Sequence, residues 1–225
     1  MQKKFKIDLK EIKNLLPDSP GILRKDEYFN SAVLIPLLLI NGEYNILFEK
    51  RSAGIRQGGE ICFPGGETDK LQDSGMLETA VRETCEELGI RKNQISVIGG
   101  MDTLVGSMGV TVDSYIAELN IRSLNELKID QNEVEKVFSL PVSFFLENPP
   151  ESYELHIEVH PFYTDDKGER IELFPARQLN LPERYHNSWQ VRKNKVWVYK
   201  TAEGAIWGIT AALIKEVMRI IAETI

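Results

Sequence analysis

The chain has 225 residues, 42% of them hydrophobic, enough for one domain that buries roughly 70–75% of its unfolded surface. A net charge of −7 gives no basic footprint for nucleic acid, so an anionic small molecule must be met locally, by a metal ion or a few arginines. Cys62 and Cys85 make no disulfide framework and lack metal-ligand spacing; they are expected as buried free thiols in a cytoplasmic protein.

The N-terminal residues are charged throughout and lack the apolar run of a signal peptide, so 1–27 read as an arm that begins as an amphipathic helix. Residues 31–40 (SAVLIPLLLI) and 44–51 (YNILFEKR) are predicted strands, joined at Asn41-Gly42, a strong hairpin signal. After Phe63-Pro64-Gly65-Gly66, a helix is predicted over 75–88. Leu77, Val81, Thr84 and Leu88 recur at the helical period beside Ala80, a stripe that faces the core. Asp73 or Ser74 is the candidate N-cap, and Gly89 is placed to end the helix in a left-handed conformation.

Glu83, Glu86 and Glu87 fall on an arc expected roughly opposite that stripe. The plain reading is a solvated acidic face. Glu83, however, lies three and four residues from Glu86 and Glu87, and each such like-charge pair costs about 0.2–0.5 kcal/mol. Arg82 offsets part of this through Glu86 or Glu78, while Glu83 and Glu87 gain no cation on their own face. A bound cation removes the conflict. Clustered carboxylates suit Mg²⁺, which keeps substrate phosphates among its ligands, and Mn²⁺ takes the same oxygens. Gly65 and Gly66 let a carbonyl or a phosphate approach closely. Together these features predict a metal–diphosphate site.

Residues 66–90, with RETCEELGI at their end, resemble the Nudix box: a Gly, a spacer, then Arg-Glu-x-x-Glu-Glu-x-Gly. The spacer departs from the pattern, being longer and carrying Ser74 where the family has a Glu; Asp69 or Asp73 is the candidate replacement. Upstream, Arg51, Ser52, Arg56 and Gly59, leading into Phe-Pro-Gly-Gly, are similar to the coenzyme A pyrophosphatase branch of that family. So are 132–145 (NEVEKVFSLPVSFF) and 206–214 (IWGITAALI). Arg51 and Arg56 present planar donor forks that match phosphate oxygens, against the plain reading of ordinary surface charge.

Farther along, 95–102, 111–119 and 134–142 read as strands, the last running into a loop and helix, which suits helices packed on a mixed sheet. In 153–163 His156, Glu158 and His160 alternate with apolar residues, the pattern of a half-buried strand; a zinc site built from them is the rival reading. Residues 164–200 turn polar and have no counterpart in the family. They read as an insertion, a surface excursion or extra strands around KVWVYK, with a substrate cover or a homodimer contact as the other uses. The segment 205–214 (AIWGITAALI) is too short to cross a bilayer and reads as the buried face of a terminal helix, so no membrane association is expected.

The resemblance implies an α/β/α sandwich with a central mixed sheet in one domain over 1–225. It also implies Mg²⁺ or Mn²⁺ held by Glu83, Glu86, Glu87 and the Gly66 carbonyl, and Arg82 bracing the box. Water is the expected nucleophile, with Glu83 or, from a distant loop, Glu133 as its base. The expected substrate is a nucleotide diphosphate, coenzyme A first, cleaved to 3′,5′-ADP and 4′-phosphopantetheine. ADP-ribose, NADH and dinucleoside polyphosphates are the alternatives, and a nucleotide-binding module without catalysis is the non-enzymatic one.

Overall fold

The computed structural model describes residues 8–107 and 109–224, apart from the side chains of residues 191 and 192. Asp8 caps α1 (Leu9–Leu15) by accepting from the Lys10 N–H at 2.8 Å, the role a short polar side chain plays at a helix start. No residue of α1 is buried, so the apolar side chains of the expected arm face water here. Residues 1–7 of that arm lie outside the described residues.

β1 (Phe29–Ile40) and β2 (Glu43–Arg51) form the expected hairpin. Asn41 and Gly42 both take positive φ, 51° and 84°, which gives the turn a twist that matches its strands. The two strands pair only near the turn, through residues 37–40 and 43–46. Beyond it they part: β2 pairs β3 (Ile61–Cys62) through Glu49 and Lys50, and β1 pairs β4 (Gly65–Glu67) through residues 31–33. Phe63 and Pro64 bridge the split. The Phe63 ring stacks on buried Phe48 at 5.2 Å, and the Pro64 carbonyl accepts from the Leu34 N–H at 2.9 Å.

After α2 (Met76–Leu88), β5 (Ile95–Gly100) and β6 (Leu104–Gly106) pair antiparallel with β7 (Val110–Leu119). β7 runs parallel to β1, and β8 (Val134–Pro141) antiparallel to β2, giving the mixed sheet that the alternation of strands and helices predicts. Period-two alternation divides its side chains. Ala32, Leu34, Leu38 and Leu47 meet Ala80, Val81 and Leu88 of α2 on one face. Ile35, Ile46 and Phe48 meet, on the other, Phe145 of α3 (Val142–Glu147) and Ala211, Ile214 and Val217 of α4 (Gly208–Ala222). Each such leucine or isoleucine contributes about 1.5–3 kcal/mol by leaving water. Helices on both faces of one sheet make the α/β/α sandwich.

The remaining strands lie outside this sheet. β9 (Glu151–Val159) pairs β12 (Trp189–Thr201), which also pairs β13 (Gly204–Trp207). β10 (Phe162–Thr164) and β11 (Arg170–Glu172) form a small hairpin. The KVWVYK stretch is therefore strand. The predicted terminal helix starts later than expected: Ile206 and Trp207 end a strand, and Gly208, at φ 65°, turns the chain into α4. Among the described residues no helix is long and apolar enough to cross a membrane.

Candidate active site

α2 carries the predicted stripe with one exception. Ala80, Val81, Thr84 and Leu88 are buried, while Leu77, near the start of the helix, is exposed. Gly89 ends the helix at φ 63°, its N–H bonded to the Cys85 carbonyl, as expected. The N-cap is Gly75 rather than Asp73 or Ser74, because both polar residues are used elsewhere. Ser74 bonds Glu78. Asp73 accepts from Thr79 Oγ1 at 2.9 Å and takes both Nε and Nη2 of Arg82, at 2.8 and 2.9 Å.

That two-point pair ties the spacer to the helix and holds the Asp73 carboxyl well below the usual carboxylate range. Arg82 also reaches Glu83 Oε1 at 2.9 Å and Glu86 Oε2 at 3.0 Å. It stands among three carboxylates.

The acidic residues of α2 do not share one solvated arc. The Glu86 side chain is 58% exposed and that of Glu83 17%, whereas Glu87 retains 2% of its surface. The cause is angular: at about 100° per residue Glu87 lies only about 20° from Ala80, on the edge of the stripe rather than opposite it. Glu87 Oε2 accepts from the Gly65 N–H at 2.8 Å, a backbone group freed where β1 and β2 part.

Both glycines of the turn are required there. A Cβ on Gly65, which sits at φ 149°, would lie 2.2 Å from the Ala32 carbonyl oxygen, and one on Gly66 would lie 2.5 Å from Glu83 Cδ. The Glu83 carboxyl thus occupies the space a side chain at 66 would fill.

Sequence reasoning missed Glu49. It is fully buried at the far end of β2, one carboxyl oxygen accepting from Cys62 Sγ at 3.3 Å and the other without any partner. The available signal was period two: Glu49 follows Leu47 on the face that packs on α2, directly after the apolar run Ile46-Leu47-Phe48. Burial raises the Glu49 carboxyl to about 7, with Glu133 and Glu83 pushing the same way against Cys62 and Arg51. Burial and then the nearby Glu49 charge raise Glu87 to about 9. Burial also raises Glu83, against the pull of Arg82.

Among the described residues no three metal-ligating side chains already stand around one point. The donor set nevertheless fits a hard divalent cation. It is all oxygen, it holds more negative than positive charge, and it includes a buried carboxyl oxygen with nothing bound to it.

Gly65 and Gly66 also line a largely apolar cavity of about 390 Å³, together with Arg51, Arg56, Phe29, Phe63, Trp207 and Ile209 among others. Arg51 and Arg56 therefore stand with both glycines at one opening. Arg51 Nε donates to the Arg56 carbonyl at 3.1 Å, and the Arg56 guanidinium lies 5.0 Å above the Phe29 ring, which fixes the loop between them. Glu133 is exposed, just before β8, and its carbonyl accepts from the Ser52 N–H at 2.8 Å, so the distant loop is bonded to the arginine loop.

The rival cluster is not gathered. His156 is paired in register with Lys193, and His160 turns to Glu158 at 3.4 Å and Ser188 at 2.8 Å. β9 is exposed on both faces except at Ile157, so it is not the half-buried strand expected. Cys62 and Cys85 are free but partly exposed rather than buried.

Known proteins resemble this chain over much of its length. The family model described as the NUDIX domain matches residues 29–193. A "Nudix hydrolase 3" of Caenorhabditis elegans is 25% identical over 222 residues, covering 95% of this chain and 82% of its own. A peroxisomal coenzyme A diphosphatase of Mus musculus is 32% identical over 154 residues, 64% of each chain. The crystal structure of a C. elegans Ap4A hydrolase binary complex aligns with a TM-score of 0.43 at 21% identity, over 52% of this chain and 83% of that one. A box that closes on Gly65 and Gly66 through Glu87 and Glu83, within a family match longer than half the sequence, places the chain in the Nudix family of pyrophosphatases.

Proposed function

We propose that this protein hydrolyses the diphosphate bond of coenzyme A or its derivatives with the help of Mg²⁺ or Mn²⁺, releasing 3′,5′-ADP and 4′-phosphopantetheine. The observation that carries the reading is the junction at Gly65-Gly66: the two glycines meet the Glu87 and Glu83 carboxyls and also line a cavity with two arginines. The coenzyme A diphosphatase relative supports the choice of substrate.

Glu83, Glu86, Glu87 and the Gly66 carbonyl would hold the cation. When bound, it offsets charge that develops on the diphosphate and acidifies water. Arg51 and Arg56 bind phosphate oxygens through their donor forks and orient the scissile bond. The apolar wall from Phe29 to Trp207 takes the uncharged part of the substrate and excludes water from the opening. Arg82 holds the spacer and two box carboxylates in place without touching substrate. A carboxylate, Glu83 at the turn or Glu133 on the loop bonded to Ser52, accepts the proton of the attacking water.

The test is a substrate panel with chromatographic identification of products. Coenzyme A should show higher kcat/KM than ADP-ribose or NADH. Dephospho-coenzyme A should be about 10–100-fold worse, the loss of one charge-assisted contact of about 1.5–3 kcal/mol. Arg56→Ala should narrow that gap. A clear preference for ADP-ribose or NADH rejects the assignment of substrate, and turnover unaffected by EDTA rejects the metal.

A further inference from the structure

Glu49 is a fully buried carboxylate on a strand wall, facing a helix that already carries acidic groups. Ionised carboxylates are buried only when paired or ligated, because leaving one without partners costs several kcal/mol. The protein supplies little compensation here. Cys62 is a weak donor at 3.3 Å, and the Arg51 Nη1 is 4.0 Å from the same oxygen, Oε1. Oε2 has no partner. Arg82 is committed to Asp73, Glu83 and Glu86. The other charged groups that act on Glu49, Glu133 and Glu83, are both acidic, and Glu49 in turn acts on Glu87.

Packing alone does not explain a carboxyl at this position. Leu47, two residues earlier on the same face, is fully buried and apolar, and a leucine at 49 would meet the same wall without an orphaned oxygen.

We propose that Glu49 is a further ligand of the catalytic divalent cation, its free Oε2 adding a carboxylate from β2 to those carried by α2. The cation would then be held from β2 as well as from α2, not from the helix alone. The inference rests on the reading of the α2 carboxylates as metal ligands, and it adds a residue outside the box. Because β2 and α2 are separate elements, binding would also cross-link them and raise thermal stability through Glu49 as well as through Glu87.

The experiment measures Mn²⁺ alone. The full chain is stripped with EDTA, and Mn²⁺ affinity is read by electron paramagnetic resonance of the free ion, with the melting temperature recorded with and without Mn²⁺. Wild type, Glu49→Gln, Glu49→Asp and Glu87→Gln are compared. Glu49→Gln keeps the shape and removes the buried charge, so its metal-free form should melt at or above wild type, while Mn²⁺ binds at least ten-fold more weakly and stabilises it less. Glu49→Asp, with the carboxylate withdrawn by one methylene, should fall between the two and provides the reading should the glutamine form not fold. If Glu87→Gln weakens Mn²⁺ and both Glu49 variants bind within two-fold of wild type, the role of Glu49 is overturned and the proposed metal site stands. If Mn²⁺ binding is unchanged in every variant, the metal site itself fails and Glu49 with it.

Discussion

The raised carboxyl of Glu87 makes the metal-free protein sensitive to pH, and Glu87→Gln isolates the effect. Folded, this carboxyl titrates near 9 against an ordinary value of 4.5, because it is buried and faces Glu49. Between those limits the folded chain keeps a proton that the unfolded chain has lost. Stability is therefore fully present below about 4.5 and falls as pH rises through the window, at about 1.4 kcal/mol per pH unit for a single group. From pH 5.5 to 7.0 the loss attributable to Glu87 is about 2 kcal/mol. Glutamine does not titrate, and its side-chain oxygen can still accept from the Gly65 N–H. In EDTA the variant should thus gain on wild type by about 4–8 °C in melting temperature across that interval, at about 2–4 °C per kcal/mol for a chain of this size. Saturating Mn²⁺ should reverse the order, since ligand at a hundred times Kd adds about 2.7 kcal/mol to the form that binds it. Differential scanning calorimetry at several pH values makes the measurement. A gap between variant and wild type that stays constant from pH 5.5 to 7.0 would show that Glu87 is ionised in the folded protein and would refute the argument.

Arg82→Ala should lower the melting temperature by about 6–12 °C, since it strips a two-point partner from Asp73 at a cost of about 3 kcal/mol, and it should lower turnover as Glu83 and Glu86 lose their common anchor. A pure rate loss with unchanged melting would contradict the bracing role. Gly66→Ala places a methyl 2.5 Å from Glu83 Cδ and should cost about 1–3 kcal/mol of stability while cutting turnover about a hundred-fold or more, because the carboxylate must swing away. Near-normal turnover in a folded Gly66→Ala protein would separate Glu83 from the chemistry.

What the sequence disclosed was local. Asn41-Gly42 specifies its turn through the positive φ both residues tolerate, and Gly89 stops α2 for the same reason, so both could be read without knowing what surrounds them. The N-cap could not. Asp73 is a good capping residue by type, but Arg82, nine positions on, takes its carboxylate, and a capping rule that looks only at neighbours misses an ion pair across the loop. The switch from strand to helix at Gly208 was hidden similarly, because Ile206 and Trp207 are apolar in either state and only pairing with β12 makes them strand.

The buried carboxylates were less legible, for a more instructive reason. Acidic residues are assigned to solvent by default because burying them alone is costly, and on that rule Glu87 belongs on the open face and Glu49 at a strand end reaching for water. The structure buries both, around a backbone split that leaves the Gly65 N–H for Glu87. Burial and mutual proximity make both carboxyls hold protons above the ordinary carboxylate range, which costs stability as pH rises, and a divalent cation would relieve that cost while supplying the charge that a diphosphate requires. The stability lost in the absence of metal and the affinity gained for it then have one source. It follows that variants at 49 and 87 should trade metal-free stability against Mn²⁺ affinity, whereas variants at exposed Glu86 should change metal-free stability little.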